Sequence, residues 1–181
     1  MRVTERYGWS SPASKDHSSY KTHVTSSVEI YSDVSVILQR QLFSSSRKLG
    51  GLLFGYHADD HLRIVMASTV GIPDWYEGEH RNELKIDQRF ILGWSEALYH
   101  LYGGRIEWVG SWTVSTENEE CKAQRDVDVL LEWCKTGLFD DRNILLTVRQ
   151  EKDNFIVKTY AVNGDKTARE VPNMISRSKI S

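Results

Sequence analysis

The chain has 181 residues, enough for one hydrophobic core of ordinary size but too few for two full domains. Its 23 Lys and Arg against 25 Asp and Glu give a near-neutral chain without the concentrated positive charge that binds nucleic acid. No apolar run approaches the roughly 20 residues that cross a bilayer as a helix, so we expect no membrane partner. Two cysteines and no secretory segment after Met1 favour a reducing, cytoplasmic location.

The N-terminal half begins with a polar stretch and continues with regular elements. Residues 1–27 are rich in Ser, Thr and Lys, and we predict a flexible leader there. A short strand is predicted at 28–31, then a helix in which Val34, Leu38 and Leu42 recur at helical spacing. The apolar runs "GGLLFGYH" and "LRIVMAST", separated by "ADD", predict a β-hairpin.

The C-terminal half alternates helices and strands. Apolar residues from Phe90 to Leu101 recur on one helix face, and Gly103 ends the pattern. Next we predict a strand in "RIEWVGSW", a helix in "DVDVLLEWCKTG" and two closing strands in "NILLTVRQ" and "NFIVKTYAV". These elements predict one α/β domain over 28–165, with a mixed sheet flanked by helices, and a polar tail over 166–181.

Three motifs in this order resemble the JAMM (MPN, JAB) metalloprotease family over about 28–162. "KLGGLLFGYH" is similar to the family's glycine-rich hairpin, "WVGSW" to the strand that enters its zinc loop, and the Asp of "AQRD" to its last ligand. The resemblance implies a cytidine-deaminase-like sandwich. It also implies a zinc-dependent activity that removes ubiquitin-like modifiers or cuts small peptide conjugates.

The zinc-binding residues of that family are missing here except one. The family's loop reads His-x-His, ten residues, then Asp, with a Ser three positions before the Asp. Two imidazoles and a carboxylate hold zinc, the fourth site holds water, and an upstream Glu takes the proton from that water. Matching the motifs places Thr113 and Ser115 at the histidines, Ala123 at the Ser and Asp126 at the Asp. Lys48 stands at the position of the Glu.

These replacements predict a pseudoenzyme. Neutral hydroxyls are poor zinc ligands at neutral pH, and Lys48 would bring a positive charge close to a divalent cation. We therefore expect no catalytic residue, no metal and no other cofactor. We further predict that the Lys48 ammonium pairs with the Asp126 carboxylate, directly or through water.

A binding function follows from the resemblance. Inactive members of the family pair with an active relative or scaffold a complex, and active members accept the tail of a ubiquitin-like protein. We expect a protein partner of one of these kinds, and the sequence also allows a homodimer. Trp75 and Tyr76, in a predicted loop, are candidate contact residues. Trp112, beside the former metal position, is predicted to line a residual groove.

Two other interpretations stay open at the level of sequence. The first is a hydrolase or isopeptidase with an altered site, in which Asp126, Thr113, Ser115 or His57 has a new role. It requires a bound metal or an activated nucleophile. The second is an unrelated α/β binding domain, which a fold without the predicted order of elements would establish.

Overall fold

The computed structural model describes residues 24–43, 50–68, 87–114, 119–135, 137, 139–152 and 154–177, with only the backbone for 119–125. This part of the chain contains eight strands and three helices. In chain order they are β1 (Ser27–Tyr31), α1 (Ser32–Phe43), β2 (Gly50–Ala58), β3 (His61–Ala67), α2 (Gln88–Tyr102), β4 (Glu107–Val114), α3 (Glu119–Lys135), β5 (Ile144–Glu151), β6 (Asn154–Val162), β7 (Ala168–Val171) and β8 (Asn173–Ser176).

All eight strands belong to one mixed sheet, in the order β7-β6-β5-β4-β2-β3-β1-β8. The pairs β1–β3, β1–β8 and β4–β5 are parallel, and the other four pairs are antiparallel. The hairpin of β2 and β3 is confirmed. The predicted α/β class is also confirmed, although the domain is mostly sheet and fits a helix-flanked sandwich only loosely.

The two edges of this sheet meet, so that the sheet is nearly closed. β7 ends at Val171 and β8 begins at Asn173, so Pro172 alone joins the two opposite edges. Across the junction, the Asn173 side-chain amide donates a hydrogen bond to the carbonyl oxygen of Val157 on β6, at 3.2 Å. β7 pairs only with residues 159–162 of β6, and Asn173 covers part of the remaining β6 edge. This cover limits pairing of that edge with other chains.

This closure corrects the predicted tail over 166–181. Residues 168–171 and 173–176 are sheet strands, and Val171 is buried in the core. At the N-terminal end, β1 starts at Ser27, one residue earlier than predicted. Thr25 also contacts the domain, because its carbonyl oxygen accepts a hydrogen bond from the Arg169 guanidinium. The domain over the described residues therefore extends beyond the predicted limits of 28 and 165.

Helices cover both faces of the sheet, which explains why its central strands are continuously apolar rather than alternating. On one face, Val34 and Leu38 of α1 belong to the largest apolar cluster. On the other face, α2 packs against β2 through Ile91, and α3 packs against β5 and β6 through Leu130. The adjacent residues Leu52 and Leu53 point into these two different clusters.

Local sequence accounts for the limits of α2 but not for the start of α3. The carboxylate of Asp87 accepts the backbone N–H of Arg89 at 2.8 Å and caps α2, which ends at Gly103 with φ +63°. Asp126 was predicted to open the last helix, but α3 begins at Glu119 and Asp126 lies within it. None of the helices in the described ranges is long and apolar enough to cross a membrane.

Candidate functional site

The structure brings two of the predicted motifs together at the end of β4. Thr113 on β4 is directly opposite Gly50, the first residue of the glycine-rich hairpin, in the antiparallel β2–β4 pair. On its other side, Thr113 is in register with Thr147 of the parallel strand β5. Thr113 is half-buried and Thr147 is buried. Gly50, Thr113 and Thr147 thus lie side by side at the end of β4, and we call this place the corner.

Asp126 reaches the same face of the sheet from α3. Its residue surface is only 7% exposed. The negative charge of Asp126 is one cause of the raised pKa of Tyr160 on β6, which shows that the two side chains are close. Because α3 packs on the face that carries Leu145, and Thr147 is two residues further along β5, Asp126 and Thr147 lie on one side of the sheet.

Trp112 is a core residue and does not line a groove, which corrects the predicted binding role. It is 1% exposed and belongs to the cluster on the α1 face, opposite to the face of its neighbour Thr113. Its indole Nε1 donates a hydrogen bond to the carbonyl oxygen of Ser68, at 2.9 Å. The Ser68 hydroxyl in turn accepts the backbone N–H of Leu52 at 2.8 Å. These two hydrogen bonds connect the start of β2, the end of β3 and β4.

Several predicted site residues lie outside the described part of the chain. Lys48, Ser115, Trp75 and Tyr76 belong to ranges that the structure does not describe, and only the backbone of Ala123 is described, within α3. The contact between Lys48 and Asp126 stays a prediction.

Sequence reasoning missed two polar side chains on this face. Ser111 and Tyr160 stand on either side of Leu145 in register, on β4 and β6. They are 0% and 2% exposed, and neither hydroxyl has a hydrogen-bond partner among the residues that the structure describes. Strand alternation in "GSWTV" places Ser111 on the face of Thr113 and so could have found it. No local signal connects Tyr160 with this corner, because only the pairing of β5 and β6 brings it there.

The described donor groups of the corner do not fit the zinc site that the motif resemblance implies. The described groups are the Asp126 carboxylate and the hydroxyls of Thr113 and Thr147, whereas zinc in proteins is held by imidazole, thiolate and carboxylate. Within the described ranges, no three His, Cys, Asp or Glu side chains come close enough to share a metal ion. His57 does not complete the site, because it is opposite Leu62 of the α1-face cluster.

Tyr160 provides a prediction on pH. Burial, followed by the charge of Asp126, raises its pKa to about 12, against 10.0 for an ordinary tyrosine. Between these values the unfolded chain has lost the phenolic proton and the folded chain retains it, so stability falls as pH rises. We expect a loss of about 1.4 kcal/mol in the free energy of unfolding between pH 8 and 11. Urea unfolding of the wild type and of Tyr160→Phe, compared at each pH, isolates this loss; equal losses in both proteins would contradict it.

Comparison with known proteins supports the fold. The structure is similar to the solution structure of protein DSY2949 from Desulfitobacterium hafniense, with a TM-score of 0.56 and 12% sequence identity. The match covers 83% of this chain and 94% of that chain. At this identity the likeness extends to the fold alone. No protein-family model matches the sequence, and no curated protein matches it either.

Proposed function

We propose that this chain is a non-catalytic JAMM/MPN-like domain that acts by binding a protein. One observation carries the proposal: Thr113, matched to the first zinc histidine, is directly opposite Gly50 of the glycine-rich hairpin, and Asp126 of α3 is buried on the same face of the sheet. This proximity of hairpin, strand and helix supports the proposal. The hydroxyl at Thr113 replaces an imidazole, so the arrangement lacks the donors for zinc.

The partner we propose is a ubiquitin-like protein or an active relative of this domain. Apolar side chains exposed near the C-terminal end of α2 would suit such a contact, because aromatic residues are enriched in protein interfaces. Tyr99, Leu101 and Tyr102 are 51%, 75% and 46% exposed. Trp75 and Tyr76, outside the described ranges, remain candidate contact residues.

The proposal is tested by rebuilding the zinc site. The variant Thr113→His/Ser115→His restores two imidazoles beside the native Asp126, and we expect it to retain about one zinc ion per chain after incubation and dialysis. The wild type is expected to retain none. Adding Asp126→Asn to the rebuilt variant is the matched control, since it removes the third ligand and should abolish retention. Elemental mass spectrometry measures the zinc content.

Each outcome of this experiment has a distinct meaning. A rebuilt variant that fails to hold zinc, although folded, would refute the JAMM-like arrangement of the corner. Stoichiometric zinc in the wild type, lost in Asp126→Asn, would refute the pseudoenzyme and favour the altered hydrolase. The binding role is tested by titrating isotope-labelled protein with ubiquitin and with other ubiquitin-like proteins; shifts confined to one surface are expected, and no shift with any of them would remove this class of partner.

A further inference from the structure

A cross-strand cluster of polar side chains lies on β1, β2 and β3, away from the corner at the end of β4. Tyr56 on β2 is opposite Arg63 on β3, which is in register with Glu29 on β1. Residues in register across a sheet point to the same face. Tyr31 at the end of β1 also reaches this group. Tyr31 and Tyr56 are half-buried, and the side chains of Arg63 and Glu29 are 42% and 27% exposed, so solvent reaches the cluster.

Two side chains hydrogen-bond to the phenolic oxygen of Tyr56. Arg63 donates from Nη1 at 3.3 Å, and the Tyr31 hydroxyl lies 3.4 Å away. The guanidinium carbon of Arg63 is 5.8 Å from the centre of the Tyr56 ring, so the cation also faces the aromatic ring. An ion pair between Arg63 Nε and Glu29 Oε2, at 2.8 Å, holds the guanidinium in place.

This environment shifts the pKa values of the two tyrosines in opposite directions. The hydrogen bond with Tyr31, and next the one from Arg63, lower the pKa of Tyr56, whereas partial burial and the charge of Glu29 oppose this. The pKa of Tyr31 is raised, chiefly by its hydrogen bond with Tyr56. Negative charge therefore concentrates on the Tyr56 oxygen when the pair loses a proton, and phenolate is the nucleophilic form of tyrosine.

We propose that the Tyr56 oxygen is a nucleophilic modification site that accepts a sulfonyl or phosphoryl group from an electrophilic donor. The new bond joins this oxygen to the sulfur or phosphorus atom as the bond to the leaving group breaks, and the phenolic proton passes to solvent. Arg63 would donate hydrogen bonds to the oxygens of the incoming group, as guanidinium does to phosphate oxygens. This site is independent of the proposed binding function.

Exposure alone predicts the opposite order of reactivity. Tyr99 and Tyr102, at 51% and 46% exposed, are more accessible than Tyr56. If accessibility governed the reaction, these two residues would be modified first. The competition between them and Tyr56 within one chain therefore distinguishes an activated oxygen from an accessible one.

The experiment is limited labelling of the full chain with an arylsulfonyl fluoride at pH 8, with the rate at each tyrosine measured by peptide mass spectrometry. Fluoride is the leaving group. We expect Tyr56 to react several-fold faster than Tyr99 and Tyr102. Arg63→Gln and Tyr31→Phe should each slow the labelling of Tyr56 by roughly two- to tenfold, the range for one lost hydrogen bond. Labelling of Tyr99 should not change.

Two further variants separate activation from a structural effect. Arg63→Lys keeps the positive charge and should restore part of the Tyr56 rate that Arg63→Gln loses. Ser27→Ala alters β1 at a residue that bonds His61 rather than Tyr56, and should leave the rate unchanged. Faster labelling of Tyr99 or Tyr102 than of Tyr56 would overturn the proposal. Equal Tyr56 rates in wild type, Arg63→Gln and Tyr31→Phe would do the same.

Discussion

Replacing Trp112 with alanine is expected to lower the free energy of unfolding by about 3–5 kcal/mol, the range for a buried large aromatic residue. Trp112 is the largest fully buried side chain among the described residues and packs in the main apolar cluster. The substitution also leaves the carbonyl oxygen of Ser68 without its indole donor, which adds the cost of a buried unpaired group. Urea denaturation followed by circular dichroism measures the change.

Two controls assign this loss to packing and to the hydrogen bond. Trp112→Phe keeps an aromatic ring but removes the Nε1 donor, and should cost less than Trp112→Ala. Tyr99→Ala removes an aromatic side chain that is 51% exposed, and should stay within about 0.5 kcal/mol of the wild type. A Trp112→Ala protein as stable as the wild type would show that Trp112 is outside the core, as the groove hypothesis from sequence required.

Gly110→Ala is expected to destabilise the domain by about 3 kcal/mol or more. Gly110 has φ +149°, a backbone conformation that other residues rarely adopt. A Cβ atom there would lie 2.0 Å from the carbonyl oxygen and 2.8 Å from the nitrogen of Ile144. Both are backbone atoms of β5, so the clash can be relieved only by separating β4 from β5.

Gly93→Ala is the matched control for this prediction. Gly93 lies in α2, and a Cβ atom built there meets nothing within 4 Å. Alanine is the better helix former, so this substitution should raise stability by about 0.5–1 kcal/mol. Urea unfolding of the two variants side by side should therefore show effects of opposite sign. A Gly110→Ala domain of unchanged stability would mean that β4 and β5 are not held at the observed spacing.

The periodicity of apolar residues predicted most elements but not those without an apolar pattern. The strand at 154–162 and the helix after Asp87 have the strong repeats that such reasoning needs. The sequence of the first two turns of α3, "EECKAQR", has no such repeat, so periodicity did not reveal this part of the helix. The sequence analysis also missed β7 and β8. Each has only four residues, too few for a clear apolar alternation, and forms by backbone pairing with a neighbouring strand.

The residues of the corner were predicted in part. Motif spacing singled out Thr113 and Asp126, and the structure has Thr113 opposite Gly50 and Asp126 buried on the same face. Motif spacing did not indicate which face each neighbour of Thr113 occupies, so Trp112 was assigned to a groove although it is in the core. Tyr160 could not be associated with Asp126 from sequence, because the two are joined only by the packing of α3 on β6.

The sequence by itself determined the chemical type of each side chain and the periodicity of apolar residues within each element. Residues 113 and 115 have hydroxyl side chains and residue 48 is a cation in any fold, because the chemical type of a side chain does not depend on packing. Tertiary structure alone decided that Pro172 joins the two sheet edges, that Asp126 of α3 is buried, and that Arg63 and Tyr31 meet at Tyr56. Those contacts join residues distant in the chain, and their free energy comes from pairing and burial that no short stretch of sequence contains.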